Sequence, residues 1–170
     1  MTREQLEHII RAAGAIVQSN ELVIIGSQAI LGSFADAPRE LLASVEADTY
    51  PLDDASKADL IDGSIGEKSP FHETFGYYAH GVGPETATLP QRWNERLVPI
   101  CNENTNGIKG LCLHPSDLFV AKLLAGRPKD IAFIRAMLKH ELVELEAVLG
   151  LCEELPSEQA KRVRELTGRW

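Results

Sequence analysis

The organising stretch of this chain is residues 22–48, LVIIGSQAILGSFADAPRELLASVEAD. It starts with an apolar, β-branched run that Gly26 and Ser27 close, which is typical of a buried strand ending in a tight turn. We expect a short helix over residues 28–34, with Ser27 as its cap. Glycine lets the backbone approach a ligand closely, and the free N–H groups at a helix start favour an anion. The turn therefore predicts a cradle for an anionic group, with a plain strand-to-helix turn as the alternative.

The same stretch ends in two acidic residues that are separated by one position. A second strand is predicted from Leu41 to Asp48, with Pro51 ending it. Because side chains alternate along a strand, Glu46 and Asp48 point to the same face. Carboxylate oxygens are the ligands that Mg²⁺ takes, with substrate phosphates completing its shell. The two acids predict a magnesium site, and the alternative is a solvated strand end with Arg39 paired to one acid.

At these residues the chain resembles the polymerase-β-like nucleotidyltransferase superfamily, in particular its small bacterial members, some of which are toxins of toxin–antitoxin pairs. The family pattern is a Gly-Ser that opens a helix, then an arginine, then two acids one residue apart. The matching positions here are Gly26-Ser27, Arg39, and Glu46 with Asp48. Residues 114–130, HPSDLFVAKLLAGRPKD, look like the family's helix with its lysine, followed by an Arg-x-Lys-Asp turn.

The resemblance implies a Mg²⁺-dependent enzyme that transfers a nucleoside monophosphate from a nucleoside triphosphate to an acceptor hydroxyl. It assigns the metal to Glu46 and Asp48. It assigns nucleotide binding to Gly26, Ser27, Arg39 and Lys122. A small molecule, a tRNA end and a protein side chain all remain open as the acceptor, and the toxin–antitoxin members imply a cognate partner protein.

Two departures from the family pattern favour a different function. The first acid is Glu46 where the family usually has aspartate, and no obvious third carboxylate follows on a later strand. Such a domain would be a catalytically inactive nucleotide-binding or interaction module, for example an antitoxin or a sensor. For catalysis, His80 on a strand predicted at residues 77–82 is the candidate general base, because an imidazole side chain can in general take up a proton near neutral pH. The alternatives are a packed, hydrogen-bonded His80 and a base from a loop, Glu85.

The later charged residues also have structural explanations. Lys122 lies on an otherwise apolar helix, so a side chain that snorkels at the edge of the core is the alternative to phosphate binding. Asp130 falls in the first turn of the next helix, where the helix dipole favours a carboxylate. We interpret Arg127 and Lys129 as surface charges, with a contact to nucleotide or RNA as the alternative.

Composition is that of an ordinary globular protein with one sizeable core: 170 residues, 44% hydrophobic and 25% charged. Residues 1–106 carry seven basic and sixteen acidic side chains, and residues 107–170 carry ten and nine. This balance predicts no broad basic face for nucleic acid.

The start of the sequence lacks a basic, apolar leader, and no apolar run approaches the roughly 18 residues of a membrane span. We therefore expect a cytoplasmic protein with no membrane partner.

The full pattern predicts an α/β (α+β) fold of the nucleotidyltransferase type. Thr2 and Gln5 form a capping box that starts an amphipathic N-terminal helix. Five strand signals predict a mixed sheet of four or five strands, and Pro99 favours an edge position for one of them. Beyond His114 the pattern is helical. The expected organisation is a nucleotidyltransferase-like α/β core at residues 1–113 and a helical region at residues 114–170 packed on that core.

Overall fold

Five strands and eight α-helices make up the fold, and a computed structural model describes all of residues 1–170. In chain order they are α1 Arg3–Val17, β1 Glu21–Ile24, α2 Ile30–Ser33, β2 Glu46–Pro51, α3 Ala58–Ile65, α4 Pro70–Phe75, β3 Tyr78–Gly81, β4 Val98–Ile100, β5 Lys109–Cys112, α5 Pro115–Ala125, α6 Pro128–Lys139, α7 Leu145–Gly150 and α8 Ser157–Thr167.

The strands form one mixed sheet in the order β3-β2-β1-β5-β4. The central strand β1 pairs antiparallel with β2 and parallel with β5, while β3 adds parallel to β2 and β4 antiparallel to β5. Pro99 lies in the edge strand β4, where a missing backbone N–H is tolerated. The predicted mixed sheet, with an N-terminal helix and a helical C-terminal half, is confirmed, and it has five strands.

The second strand is offset from its predicted position. Leu41 belongs to a 3₁₀ turn and residues 42–45 lie outside the sheet, so β2 begins only at Glu46 and continues to Pro51. The reason is its pairing with β1, in which Leu22 lies opposite Pro51 and Ile24 opposite Thr49. The two acids therefore start the strand instead of ending it, although they still share a face.

The turn after β1 is also tighter than expected. Ser27 to Ala29 form a 3₁₀ turn, which leads into a single-turn helix, α2. Gly26 is the cap residue, and no side chain caps the turn, so the prediction that Ser27 caps a helix over residues 28–34 is wrong. A helix of four residues has too small a dipole to form an anion cradle by itself.

The helices pack on this sheet through one contiguous apolar core. The capping box of Thr2 and Gln5 starts α1, as predicted, and α1 packs against β1, β2 and β5. The apolar helix α5 packs against α2, α6, α7 and α8, so residues from both predicted regions contribute to the same core. The division into residues 1–113 and 114–170 stays a prediction. No helix combines the length and apolar character that crossing a membrane requires.

A sharp turn joins α5 to α6 and sets the position of the charged residues beside the sheet. Gly126 ends α5 with φ at +65°, in the left-handed region where a residue with a Cβ would be strained. Pro128 then opens α6 at a position where its missing N–H costs no hydrogen bond. The turn folds α6 back against α5, which brings Arg127 and Asp130 close to Lys122.

Candidate functional site

The pairing of β2 with β3 places a polar partner beside each acid. In the parallel register, Glu46 lies opposite Tyr78 and Asp48 lies opposite His80. His80 Nδ1 is 3.0 Å from Asp48 Oδ1 and 3.9 Å from Glu46 Oε1. The Tyr78 hydroxyl donates a hydrogen bond of 2.8 Å to Glu46 Oε2. His80 therefore faces the acids and is not packed in the core.

The two acids share one face of β2, as the alternation of side chains predicted. Glu46 and Asp48 are half-buried, while Ala47 and Thr49 between and beyond them are fully buried on the other side. Burial and the neighbouring charge of Glu46 raise the pKa of Asp48, and the hydrogen bond with His80 opposes this rise. Burial and the bond to Glu46 likewise raise the pKa of Tyr78. Two like charges are thus held together, which is unfavourable without a cation.

The donor atoms are close enough to share a metal ion. One ligand atom from each of Glu46, Asp48 and His80 lies within 4.8 Å of the others. Carboxylate oxygens suit Mg²⁺, and an imidazole nitrogen is a common ligand of transition metals. The donor set therefore fits a divalent cation, with Glu46 and Asp48 as the hard ligands.

Gly26 is needed at the end of β1 because the Asp48 side chain occupies the space beside it. The Ile25 N–H donates to the Asp48 carbonyl at 3.1 Å, which holds the two segments together. A Cβ added at Gly26 would lie 1.9 Å from Asp48 Oδ2, well inside contact distance. This close approach is enough to require glycine here, because any side chain would displace the carboxylate.

These residues line a cleft with two lobes, of about 850 and 170 Å³. Both lobes are lined by Asp48, Thr86, Lys122, Ala125 and Arg127. The larger lobe adds Glu46 and His80 from the sheet and Lys129 and Phe133 from α6. The cleft thus has an acidic wall on β2 and a basic wall at the turn between α5 and α6.

The basic wall is organised around Asp130, whose side chain is fully buried. Lys122 Nζ lies 3.1 Å from Asp130 Oδ1, and Arg127 Nε lies 2.6 Å from Asp130 Oδ2. Burial alone would raise the pKa of Asp130, but the hydrogen bonds from Arg127 and Lys122 outweigh it and lower that pKa. Asp130 therefore does more than complement the helix dipole, because it anchors two cations of the cleft.

Nearly the whole sequence matches a family model. A family model described as a nucleotidyltransferase of unknown function (DUF6036) matches residues 4–170. The chain belongs to this nucleotidyltransferase family. No curated protein and no solved structure shows a significant match to the chain. The predicted resemblance to nucleotidyltransferases is confirmed, and the link to toxin–antitoxin pairs stays a prediction.

Not all residues that the resemblance assigned line this cleft. Gly26 lines the smaller lobe, Ser27 lines the larger one, and Lys122 lines both. Arg39 is not among the lining residues, although its neighbours Glu40 and Leu41 are. Glu85, the alternative base, lines a separate cavity beside β3.

Two residues that the structure places at the site, Tyr78 and Arg127, were not among the site residues assigned from the sequence. Tyr78 could have been found, because it precedes His80 by two residues and therefore shares its face of the strand. Arg127 was interpreted as a surface charge, and only the fold places it beside Asp48. Its i, i+3 spacing from Asp130 was a signal for their ion pair.

Proposed function

We propose that this chain is a Mg²⁺-dependent nucleotidyltransferase that transfers a nucleoside monophosphate from a nucleoside triphosphate to an acceptor hydroxyl. The observation that carries the proposal is the cluster of Glu46, Asp48 and His80 on adjacent strands at the edge of a cleft. Its membership in a nucleotidyltransferase family supports the reaction class. The acceptor remains open among a small molecule, a tRNA end and a protein side chain.

In this mechanism Glu46 and Asp48 hold the cation at the acidic wall of the cleft. When bound, the cation would neutralise charge on the phosphates and on the departing pyrophosphate. The basic wall at the turn between α5 and α6 supplies positive charge for the phosphates that lie farther from the acids. The two walls together position the triphosphate, which is the main catalytic contribution in this class of reaction.

His80 takes the proton of the acceptor. If Nδ1 carries the hydrogen and donates to Asp48, then Nε2 has a free lone pair that can accept a proton directly or through one water. The acceptor oxygen forms a bond to the α-phosphorus, the bond from that phosphorus to the bridging oxygen breaks, and pyrophosphate leaves. Asp48 then has a second role, because its hydrogen bond orients the imidazole and stabilises its protonated form.

The second candidate is a catalytically inactive nucleotide-binding or interaction module, such as an antitoxin or a sensor. It is favoured by the pairing of the other carboxylates that line the cleft. Asp130 is bound by Lys122 and Arg127, and Glu40 is bound by Lys139 and His140. Neither carboxylate is therefore free to act as a third acid beside Glu46 and Asp48. Catalysis would then depend on His80 as the general base.

Titration with each nucleoside triphosphate, with Mg²⁺ and with EDTA, tests the proposal. We expect nucleotide binding that requires Mg²⁺, and release of pyrophosphate when an acceptor is present. The Asp48→Asn variant should bind Mg²⁺–nucleotide at least about 10-fold more weakly, because one of two hard ligands is lost. Asp36→Asn, which removes an exposed acid elsewhere, is the matched control.

The outcomes separate the candidates. Metal-dependent binding without pyrophosphate release from any acceptor class supports the sensor or interaction module. Absence of nucleotide binding by the folded wild-type protein contradicts both nucleotide functions and leaves a structural module.

A further inference from the structure

The two cations that anchor to Asp130 differ in how much of each side chain reaches the cleft. The Lys122 side chain is 10% exposed, and the Arg127 side chain is 58% exposed. Both line the two lobes beside Asp48. Of these two cations, Arg127 is therefore the one that a ligand in the cleft mainly contacts.

The environment of Lys122 is that of a structural ion pair. Its ammonium group is bound to the buried carboxylate of Asp130, and it lies 5.5 Å from the centre of the Phe133 ring. Moving the ammonium towards a ligand would leave Asp130 with a single partner in a buried position, which is costly. The Lys122 ammonium group is thus held in place by the side chains of Asp130 and Phe133.

Part of the Arg127 guanidinium group is bound to Asp130, and the rest keeps N–H groups that can bind a ligand. Its Nε and Nη2 bind Asp130, and Nη1 makes no hydrogen bond within the protein. The guanidinium is planar, so fixing one edge on Asp130 also fixes the direction of the remaining N–H groups. The charges of Asp48 and Glu46 act on Arg127 as well, after the dominant hydrogen bond to Asp130, and together they raise its pKa. Arg127 is therefore a preorganised cation within electrostatic range of the metal-binding acids.

We propose that Arg127, oriented by Asp130, is the residue of this chain that binds the phosphates of the nucleoside triphosphate, and that Lys122 serves as the structural partner of Asp130. Guanidinium groups suit phosphate oxygens because they donate two parallel hydrogen bonds. This inference rests on the proposed function, since it names the phosphate-binding group of the same cleft.

Matched glutamine variants test the assignment. Binding of Mg²⁺–ATP, AMP and Mg²⁺–tripolyphosphate is measured calorimetrically for the wild type, Arg127→Gln, Lys122→Gln and Lys129→Gln. Tripolyphosphate has no base, so it reports phosphate contacts whichever nucleotide the protein prefers. Lys129 is the control, because it lines the same cleft with an exposed side chain and makes no ion pair.

Arg127→Gln should weaken ATP and tripolyphosphate binding at least about 10-fold, the size expected for charged hydrogen bonds, and AMP binding less. Arg127→Lys should recover only part of the affinity, because the charge returns without the planar group. Lys122→Gln should melt at a lower temperature and keep its affinity within about 3-fold, and Lys129→Gln should change neither property much.

Unchanged affinity in Arg127→Gln, or a loss in Lys129→Gln of equal size, overturns the assignment. If Lys122→Gln loses as much affinity as Arg127→Gln while folded, the separate roles are wrong. If one of these results is obtained while the wild-type protein still binds ATP and releases pyrophosphate, the proposed function stands and only this inference fails. If wild-type protein binds neither ATP nor tripolyphosphate, the proposed function fails and the inference fails with it.

Discussion

Glu46 and Asp48 lie close together in the cleft, whereas Asp117 and Glu154 both contact Arg96, the last residue of the 3₁₀ turn Trp93–Arg96. Only the second pair of carboxylates forms ion pairs with arginine side chains. Arg96 donates two hydrogen bonds to the fully buried Asp117, at 2.8 and 2.9 Å, and two more to Glu154. Arg92 adds a further ion pair to Glu154. Glu46 and Asp48 instead have one tyrosine hydroxyl and one half-exposed histidine.

The comparison distinguishes charged residues that stabilise the fold, Asp117 and Glu154, from charged residues that are positioned to bind a ligand, Glu46 and Asp48. Arg96 ties the turn before β4 to α5 and to the turn after α7, and each of its three side-chain nitrogens donates to a carboxylate. The hydrogen bond from Arg96 keeps the pKa of Glu154 below its usual value, whereas the pKa of Asp48 is raised. The cleft therefore holds negative charge that is unfavourable for the fold and that a bound divalent cation would offset, as the proposed function requires.

The largest effect is expected for His80→Ala, which tests whether the cleft performs chemistry. Loss of a general base should reduce the rate of pyrophosphate release by about 10²–10⁴-fold, with nucleotide affinity nearly unchanged. Single-turnover kinetics and equilibrium binding measure the two quantities. His72→Ala is the control, because His72 packs against Tyr78 outside the residues that line the cleft. An equal loss of Mg²⁺–nucleotide affinity would show that His80 is a metal ligand instead.

In the cluster of Arg96, Asp117 and Glu154, the Arg96→Met variant should be less stable than the wild type and keep its function. The buried carboxylate of Asp117 would lose its partner, which typically costs about 3–5 kcal/mol of unfolding free energy. Urea denaturation measures this loss. Arg92→Met removes a largely exposed arginine and leaves Glu154 paired with Arg96, so it should cost less than about 1 kcal/mol. Similar losses in the two variants would contradict the structural role of Arg96.

The same cluster should contribute to acid denaturation. Because the folded-state pKa of Glu154 is lowered, its contribution to stability is present above the unfolded-state pKa and is lost as the pH falls through the folded-state value. Urea titrations below about pH 4.5 should show a smaller acid-dependent loss for Arg96→Met than for the wild type.

The smallest effect, and the one of opposite sign, is expected for Asp48→Asn without metal. Removing one of two neighbouring negative charges relieves their repulsion, so the melting temperature in EDTA should rise, by about 2–4 °C if the gain is on the order of 1 kcal/mol. Mg²⁺ should raise the melting temperature of the wild type and not that of the variant. A lower melting temperature for Asp48→Asn in EDTA would mean that the cleft acids stabilise the fold, as Asp117 does.

Local patterns in the sequence determined most of the elements, though not the start of β2 or the cap of the turn after β1, and they determined the acidic face of the site. The alternation along β2 was sufficient to place Glu46 and Asp48 together, because the side-chain period of a strand is a local property. The capping box of α1, the Gly126 ending of α5 and the edge position of Pro99 were likewise readable, since each depends on the conformational limits of one or two residues.

Only the tertiary structure decided which partners those residues meet. The register that sets His80 against Asp48 comes from the pairing of two strands that lie far apart in the chain. The contact that requires Gly26 is made by the Asp48 side chain, and the site of Arg127 is set by the packing of α6 on α5. Such contacts depend on long-range packing, which fixes distances between segments that no local preference relates. The sequence thus indicated the acids of the site and a candidate base, and the fold determined that His80 and Arg127 lie beside those acids.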